Sequence, residues 1–315
     1  VKRNLDREQF IEIFNSIDFS KILDHPNILI AAHFWDEERY NAARVCYKLM
    51  RAVDDMIDNH KANKRLIAGS EREEFKRKVD NWLAMVMDTN ESIPDQVEIA
   101  RIIKRFRIPF RLFEDFAGSM IFDINHNGFP TLDSFFEYSN GASVAPASIF
   151  VHLSGLTANN GTYSEPEFDV REAAYPCALF SYLVHIIRDF QKDQFNNLNY
   201  FAGDISLKYG LTGKDLRNIA LGSPVSSGFR NMIAEYCAIA DEYRVKTLDV
   251  KKKIGHHLEP RYRLSLEIIF DLYLMVFERI NIGKGNFTTY ELNPSPEETA
   301  ERVRETILRF TSAEK

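Results

Sequence analysis

Apolar residues recur at i, i+3, i+4 and i+7 through most of the chain, the spacing of one buried helical face. Alternating runs that would line a half-buried strand are scarce, so the pattern predicts an all-α protein. Helices are expected at about 37–59, 71–87, 95–121, 131–155, 168–193, 213–219, 226–247, 260–280 and 296–311. Between them DTNESIP (88–94), NHNGFP (125–130), TANNGTYSEPE (157–167) and LNPSP (292–296) carry turn chemistry. The last helix has its own start signal, with Ser295 at the cap, Pro296 at the first position and Glu298 at the third; Val303, Ile307 and Phe310 then form its buried face. No segment reads as a flexible linker and no internal repeat stands out. Residues 1–315 are therefore expected to form a single helical domain.

Two stretches interrupt this pattern with acids. In RAVDDMIDNH (51–60), helical spacing puts Tyr47, Arg51, Asp54 and Asp58 on one face, with Asp55 to the side, beside an apolar stripe of Cys46, Met50, Val53 and Ile57. HIIRDFQKD (185–193) repeats the arrangement: Tyr182, His185, Asp189 and Asp193 share a face beside Leu179, Leu183, Ile186 and Phe190. Carboxylates four apart repel each other by about 0.2–0.5 kcal/mol even when exposed, so something must compensate. A solvated surface pair accounts for either cluster alone. Two matched clusters, each beside a strongly apolar stripe, point instead to a site. Hard oxygen donors on facing helices suit Mg2+, which keeps waters and shares phosphate oxygens, and sites of that kind recognise diphosphates. Arg51 and Arg188 stand ready to clamp phosphate, and a neutral His185 can ligate a metal or donate to phosphate.

Composition narrows the class further. The 315 residues are 45 % hydrophobic and 27 % charged with a net charge of -6, which fits a buried core and gives no basic face for nucleic acid. The densest basic run, VKKKIG (250–255), reads as a solvated turn. Cys46, Cys177 and Cys237 are far apart with no CxxC spacing, so neither disulfides nor a zinc site is expected and a reducing cytoplasm fits best. The N-terminus lacks a signal-like apolar region and no stretch reaches the roughly 18 apolar residues of a membrane span. Peripheral membrane contact stays compatible with a greasy ligand. No GxGxxG fingerprint is present, so a nicotinamide held in a Rossmann domain is not expected, while transient NADPH use stays open. Oligomeric state is not legible.

YKLMRAVDDMID (47–58) followed by HIIRDFQKDQFNNLNYF (185–201) resembles the two aspartate-rich motifs of the squalene/phytoene synthase family. FDINHNGFPTLDSFFEYSNGASVAPAS (122–148) and FDLYLMVFERI (270–280) extend the resemblance over about residues 25 to 290. It implies a helical bundle of the class I isoprenoid synthase type with a central cavity, and head-to-head joining of two prenyl diphosphates, commonly through a cyclopropyl diphosphate. By this resemblance Asp54, Asp58, Asp189 and Asp193 hold Mg2+, with His185 beside them and Asp55 fitting the pattern. Tyr47, Arg51, Arg188 and Tyr200 fall at diphosphate-contacting positions, Tyr273 at the C-terminal cavity tyrosine, and Asp123 at an intermediate aspartate. GASVAPAS (141–148) either lets a prenyl chain pass close to backbone or marks a helix kink at Pro146.

The chain also departs from the family pattern. His185 stands where Asn is usual, Tyr182 where Gln is common and Leu198 where an Arg normally follows; His25 and Asn27 occupy a stretch where serines often lie near phosphate. The loss at Leu198 removes a positive charge from the pocket. Two functions follow: a Mg2+-dependent prenyltransferase, with farnesyl diphosphate favoured over geranylgeranyl diphosphate and a stop at the cyclopropyl stage as a variant, or a non-catalytic scaffold that keeps the fold.

Overall fold

The computed structural model describes residues 6–24, 27–64, 67–88, 97–159 and 161–313. It is all-α apart from one short hairpin. In chain order the helices are α1 (Arg7–Asn15), α2 (Asn27–Ala32), α3 (Glu37–Lys64), α4 (Gly69–Met87), α5 (Val97–Phe106), α6 (Phe110–Asn125), α7 (Leu132–Ser139) and α8 (Ala145–Gly155). They continue with α9 (Val170–Arg188), α10 (Phe190–Phe195), α11 (Gly203–Lys208), α12 (Gly213–Ala220), α13 (Ser227–Gly255), α14 (Pro260–Arg279), α15 (Thr289–Leu292) and α16 (Pro296–Ala313). A 3-10 turn at Phe19–Asp24 precedes α2. No helix among the described residues is long and apolar enough to cross a membrane.

Three of the expected helices are broken. The stretch read as 95–121 divides into α5 and α6 because Pro109 has no N–H to continue the ladder and disfavours a helical Ile108; Arg107 turns the chain at φ 51, and the Ile108 N–H returns to the Ile103 carbonyl at 3.1 Å. The stretch read as 131–155 bends at a π-turn, Asn140–Val144, and not at Pro146, which lies in the first turn of α8 where its missing N–H costs nothing. The stretch read as 168–193 breaks at Asp189 (φ -91, ψ 1) into α9 and α10. Residues 157–164, read as loop, form an antiparallel hairpin that pairs Thr157 with Ser164 and Ala158 with Tyr163. VKKKIG is the last turn of α13, not a solvated turn, and there Lys251 pairs with Glu267 at 2.5 Å. The start of α16 is as expected: Glu298 N–H donates to Ser295 Oγ at 3.2 Å and Ser295 N–H to Glu298 Oε2 at 2.8 Å.

One contiguous hydrophobic cluster, from Phe10 to Ile307, fills the space between the helices. α8 packs against both α3 and α9, and so relates the two helices that carry acids. The start of α3 is fixed by the fully buried Arg39, which donates from Nη2 to the Leu156 carbonyl after α8 at 2.8 Å and lies 4.2 Å over the Tyr262 ring of α14. Gly141 in the π-turn lets α6 approach: a Cβ there would collide with the Asp115 carbonyl and Ser119 Oγ, so at this glycine the small residue serves helix packing. Cys46, Cys177 and Cys237 are all free thiols.

The two glycines at α6 should therefore respond in opposite directions. Gly141→Ala is expected to cost about 1–3 kcal/mol through overpacking, whereas Gly118→Ala, whose Cβ meets open space, should stabilise by about 0.5–1 kcal/mol. Urea midpoints of the two variants check the difference.

Candidate active site

Tyr47, Arg51, Asp54 and Asp58 share one face of α3, and the stripe beside them is buried as the spacing predicts: Cys46, Met50, Val53 and Ile57 are all in the core. Arg51 bridges two acids, Nη1 to Asp54 Oδ2 at 3.0 Å and Nη2 to Asp55 Oδ1 at 2.6 Å. The same face continues to Lys61, which is only 2 % exposed. Its Nζ lies 2.5 Å from Asp123 Oδ1 and 2.9 Å from the His126 carbonyl, so α3 is tied to the end of α6. Sequence reasoning did not single out Lys61, although its place one step beyond Asp58 was the signal. The segment after α10 crosses this end of α3: the Tyr200 hydroxyl donates to Asp58 Oδ1 at 3.5 Å, and Asn197 Nδ2 donates to the Ala62 carbonyl at 2.9 Å.

Burial dominates the electrostatics of this cluster. It pushes Asp54 up to about 6, with Arg51 pulling down and Asp123 pushing further. Asp58 rises to about 8 because burial is reinforced by the charges of Asp54 and Asp123. These carboxyls lack enough positive charge to ionise readily.

The second cluster is better compensated on one side. Asp189 sits at the break between α9 and α10, gripped by Arg188 through Nε at 2.7 Å and Nη2 at 2.9 Å, with His185 Nε2 at 2.8 Å. Burial works against its charge, but His185 and Arg188 reverse that effect and hold the carboxyl well below the usual range. Burial also lowers the His185 pKa in spite of Asp189, which leaves the imidazole neutral near pH 7. Asp193, on α10, has no such clamp; burial and then the charge of Asp189 push it up to about 8. Tyr273 of α14 is pushed up to about 12 by burial, and its electrostatic neighbours are Arg188 and Asp189 from one cluster and Tyr47 from the other.

Phenol rings stand between the clusters. Tyr138 of α7 and Tyr182 of α9 have ring centroids 6.4 Å apart, Tyr182 and Tyr200 also 6.4 Å, and Phe129 lies 5.1 Å from Tyr138. Burial holds all three phenols well above the usual tyrosine value, and the charges of Asp54 and Asp123 raise them further. Tyr138 was not among the residues expected from sequence. The two clusters thus open on one buried, phenol-lined region without closing on a common ion: among the described residues no three His, Cys, Asp or Glu side chains converge as a metal cage. Paired hard oxygens short of positive charge nevertheless fit Mg2+, which takes one or two carboxylates and completes its shell with waters and phosphate oxygens.

An apolar crevice runs beside Tyr47 between α2, α3 and α8, walled by Ile28, Ala43, Met50, Pro146 and Phe150. It leaves only about 20 Å3 for a water-sized sphere, against roughly 300–1,000 Å3 in typical ligand pockets. Asn27 opens α2 next to Ile28 in this wall. Leu198 is buried just after the turn that meets α3. His25 lies outside the described residues.

Residues 25–298 match the family model for squalene/phytoene synthase. The chain belongs to the squalene/phytoene synthase family. A dehydrosqualene synthase solved with a ligand is similar to this family member in fold, with a TM-score of 0.68 at 13 % identity, covering 97 % of this chain and 99 % of that one. YisP from Bacillus subtilis subsp. subtilis strain 168 has a TM-score of 0.61 at 13 % identity, covering 96 % of this chain and all of its own (100 %). Squalene synthase HpnC from Alicyclobacillus acidocaldarius reaches 0.56 at 12 % identity, over 79 % of this chain and 96 % of its own. No curated protein is similar to the chain in sequence. At these identities the solved structures establish the isoprenoid synthase fold of the family.

The raised carboxyls give this family member a distinctive pH response. A folded-state pKa above the unfolded one means that the folded state binds protons more tightly, so stability falls as pH rises. With Asp54 at about 6 and Asp58 and Asp193 at about 8, the metal-free protein is expected to lose melting temperature progressively between about pH 4 and 8. Mg2+ needs the charged forms, so the rise in melting temperature it causes should grow over the upper half of that range. Melting curves with and without Mg2+ check this; a Mg2+ increment that stays flat with pH contradicts it.

Proposed function

We propose that this protein is a Mg2+-dependent prenyltransferase that joins two prenyl diphosphates head to head, through or as far as a cyclopropyl diphosphate. The observation that carries the reading is the pair of acid clusters on α3 and α9–α10, which open on one buried region with Asp58 and Asp193 short of positive charge. A family-fold scaffold would have no reason to keep such carboxyls out of water, since each uncompensated buried charge costs several kcal/mol.

Asp54 and Asp58 would hold the metal on one wall, and Asp189 and Asp193 on the other with His185 beside them. When bound, Mg2+ would neutralise diphosphate oxygens and so ease departure of the leaving group. Arg51 can exchange Asp54 and Asp55 for phosphate oxygens, because its guanidinium is about half exposed. Arg188 is held by Asp189 with its planar face fixed, which suits a second phosphate contact. Tyr47, Tyr200 and Asn27 supply neutral donors near the two ends of the acid helix. Tyr273, with Tyr138, Tyr182 and Phe129, keeps water from the reacting carbons and presents ring faces to the positive charge that develops there. Farnesyl diphosphate is favoured over geranylgeranyl diphosphate because the crevice beside Tyr47 is tight, and a shorter tail asks less repacking of its walls. Tyr182 and Leu198, where the resemblance calls for Gln and Arg, bear on the second half-reaction and hence on whether NADPH is consumed. A brief membrane contact would serve release of an apolar product.

Purified protein incubated with farnesyl or geranylgeranyl diphosphate and Mg2+, with and without NADPH, is expected to release diphosphate and yield a head-to-head lipid. Asp54→Asn and Asp189→Asn should each lower turnover by about a hundredfold or more. Absence of turnover with either prenyl diphosphate would transfer the case to the scaffold reading.

A further inference from the structure

We infer that Lys61 is a resident counter-cation of the first acid cluster: anchored by Asp123, it fills a charge-balancing position that the site would otherwise give to a divalent ion. The inference rests on the metal reading above and extends it to a residue with no part in that scheme.

Helical steps of four and three put Asp54, Asp58 and Lys61 on one face, and all three point toward the end of α6 that carries Asp123. An ammonium at 2 % exposure has lost its water and must be balanced by protein. Two of its three N–H donors are taken, by Asp123 Oδ1 at 2.5 Å and the His126 carbonyl at 2.9 Å. That carbonyl is itself fixed, since the His126 ring stacks on Phe122 at 4.0 Å and its Nδ1 lies 2.8 Å from the Phe122 carbonyl. The ammonium is therefore held in place, and its charge is felt at both Asp54 and Asp58. Asp123 is in turn committed to Lys61 and withdrawn from any metal. The turn that carries Leu198 meets α3 at the next residue, through Asn197 Nδ2 and the Ala62 carbonyl at 2.9 Å. A cation expected at 198 is missing from this corner, and α3 supplies one beside it.

A purely structural strut between α3 and α6 makes a different prediction from a charge-balancing one, and Mn2+ titration of the whole protein followed by electron paramagnetic resonance, without substrate, separates them. Lys61→Met removes the resident charge and frees Asp123, so Mn2+ should bind about tenfold more tightly. Asp123→Asn keeps the ammonium but removes its partner, so Mn2+ should bind about tenfold more weakly. Lys61→Arg should resemble the wild type. If Lys61→Met fails to fold, the near-isosteric Asp123→Asn decides alone. Unchanged affinity in the folded variants, or shifts of the same sign in both, overturns the role of Lys61 while leaving the metal reading intact. A wild type that takes up no Mn2+ overturns the metal reading and this inference with it.

Discussion

Positive charge is scarce inside this helical core, and that scarcity decides how its acids are arranged. Five aspartates, Asp54, Asp58, Asp123, Asp189 and Asp193, are drawn out of water, and each is answered differently. Arg188 and His185 enclose Asp189; Lys61 takes Asp123; Arg51 reaches Asp54 from the surface. Asp58 and Asp193 receive no cation of their own, and the nearby phenols offer dipoles without charge. A buried carboxyl in that position either keeps its proton or recruits a cation from outside. The asymmetry is informative, because one member of each cluster is satisfied by the protein and the other is left for something else.

The break at Asp189 belongs to the same economy of charge. Four residues on one continuous helix would stack Asp189 and Asp193 along a single face; the change of direction after Arg188 lets Asp189 turn back to its clamp while Asp193 follows α10. α8, which touches both α3 and α9, then fixes how far apart the clusters stand, and Arg39 fixes where along α8 the acid helix begins.

The long helices were legible because each buries a stripe repeated over several turns: α3, α4, α13, α14 and α16 follow the 3.6-residue period with few exceptions. Helices of four to six residues, α2, α10, α11 and α15, contain less than two periods, and the hairpin has three residues per strand, so neither shows above the background of single apolar residues. The breaks at Arg107 and Asp189 were hidden because apolar residues on both sides keep a helical rhythm; only Pro109 announced the first. In the site, the acid faces were legible from spacing. Lys61 lay on one of them but read as an ordinary surface lysine, because its burial depends on meeting Asp123 from α6, a contact that no local pattern encodes. The gathering of Tyr138, Tyr182 and Tyr200 from three separate segments was invisible for the same reason. Similarity over 97 % of the chain at 13 % identity agrees with this division, since many residues satisfy an apolar period.

The crevice beside Tyr47 is nearly shut when nothing lies in it. A hydrocarbon tail that wedges Ile28 and Met50 apart leaves them tending to spring back together, because close contact between such side chains is itself favourable. Elastic closure of this kind works against whatever occupies the slit once its polar head has been cut away. Ejection could then be driven by the wall itself, with the diphosphate grip serving as the latch that holds the spring open.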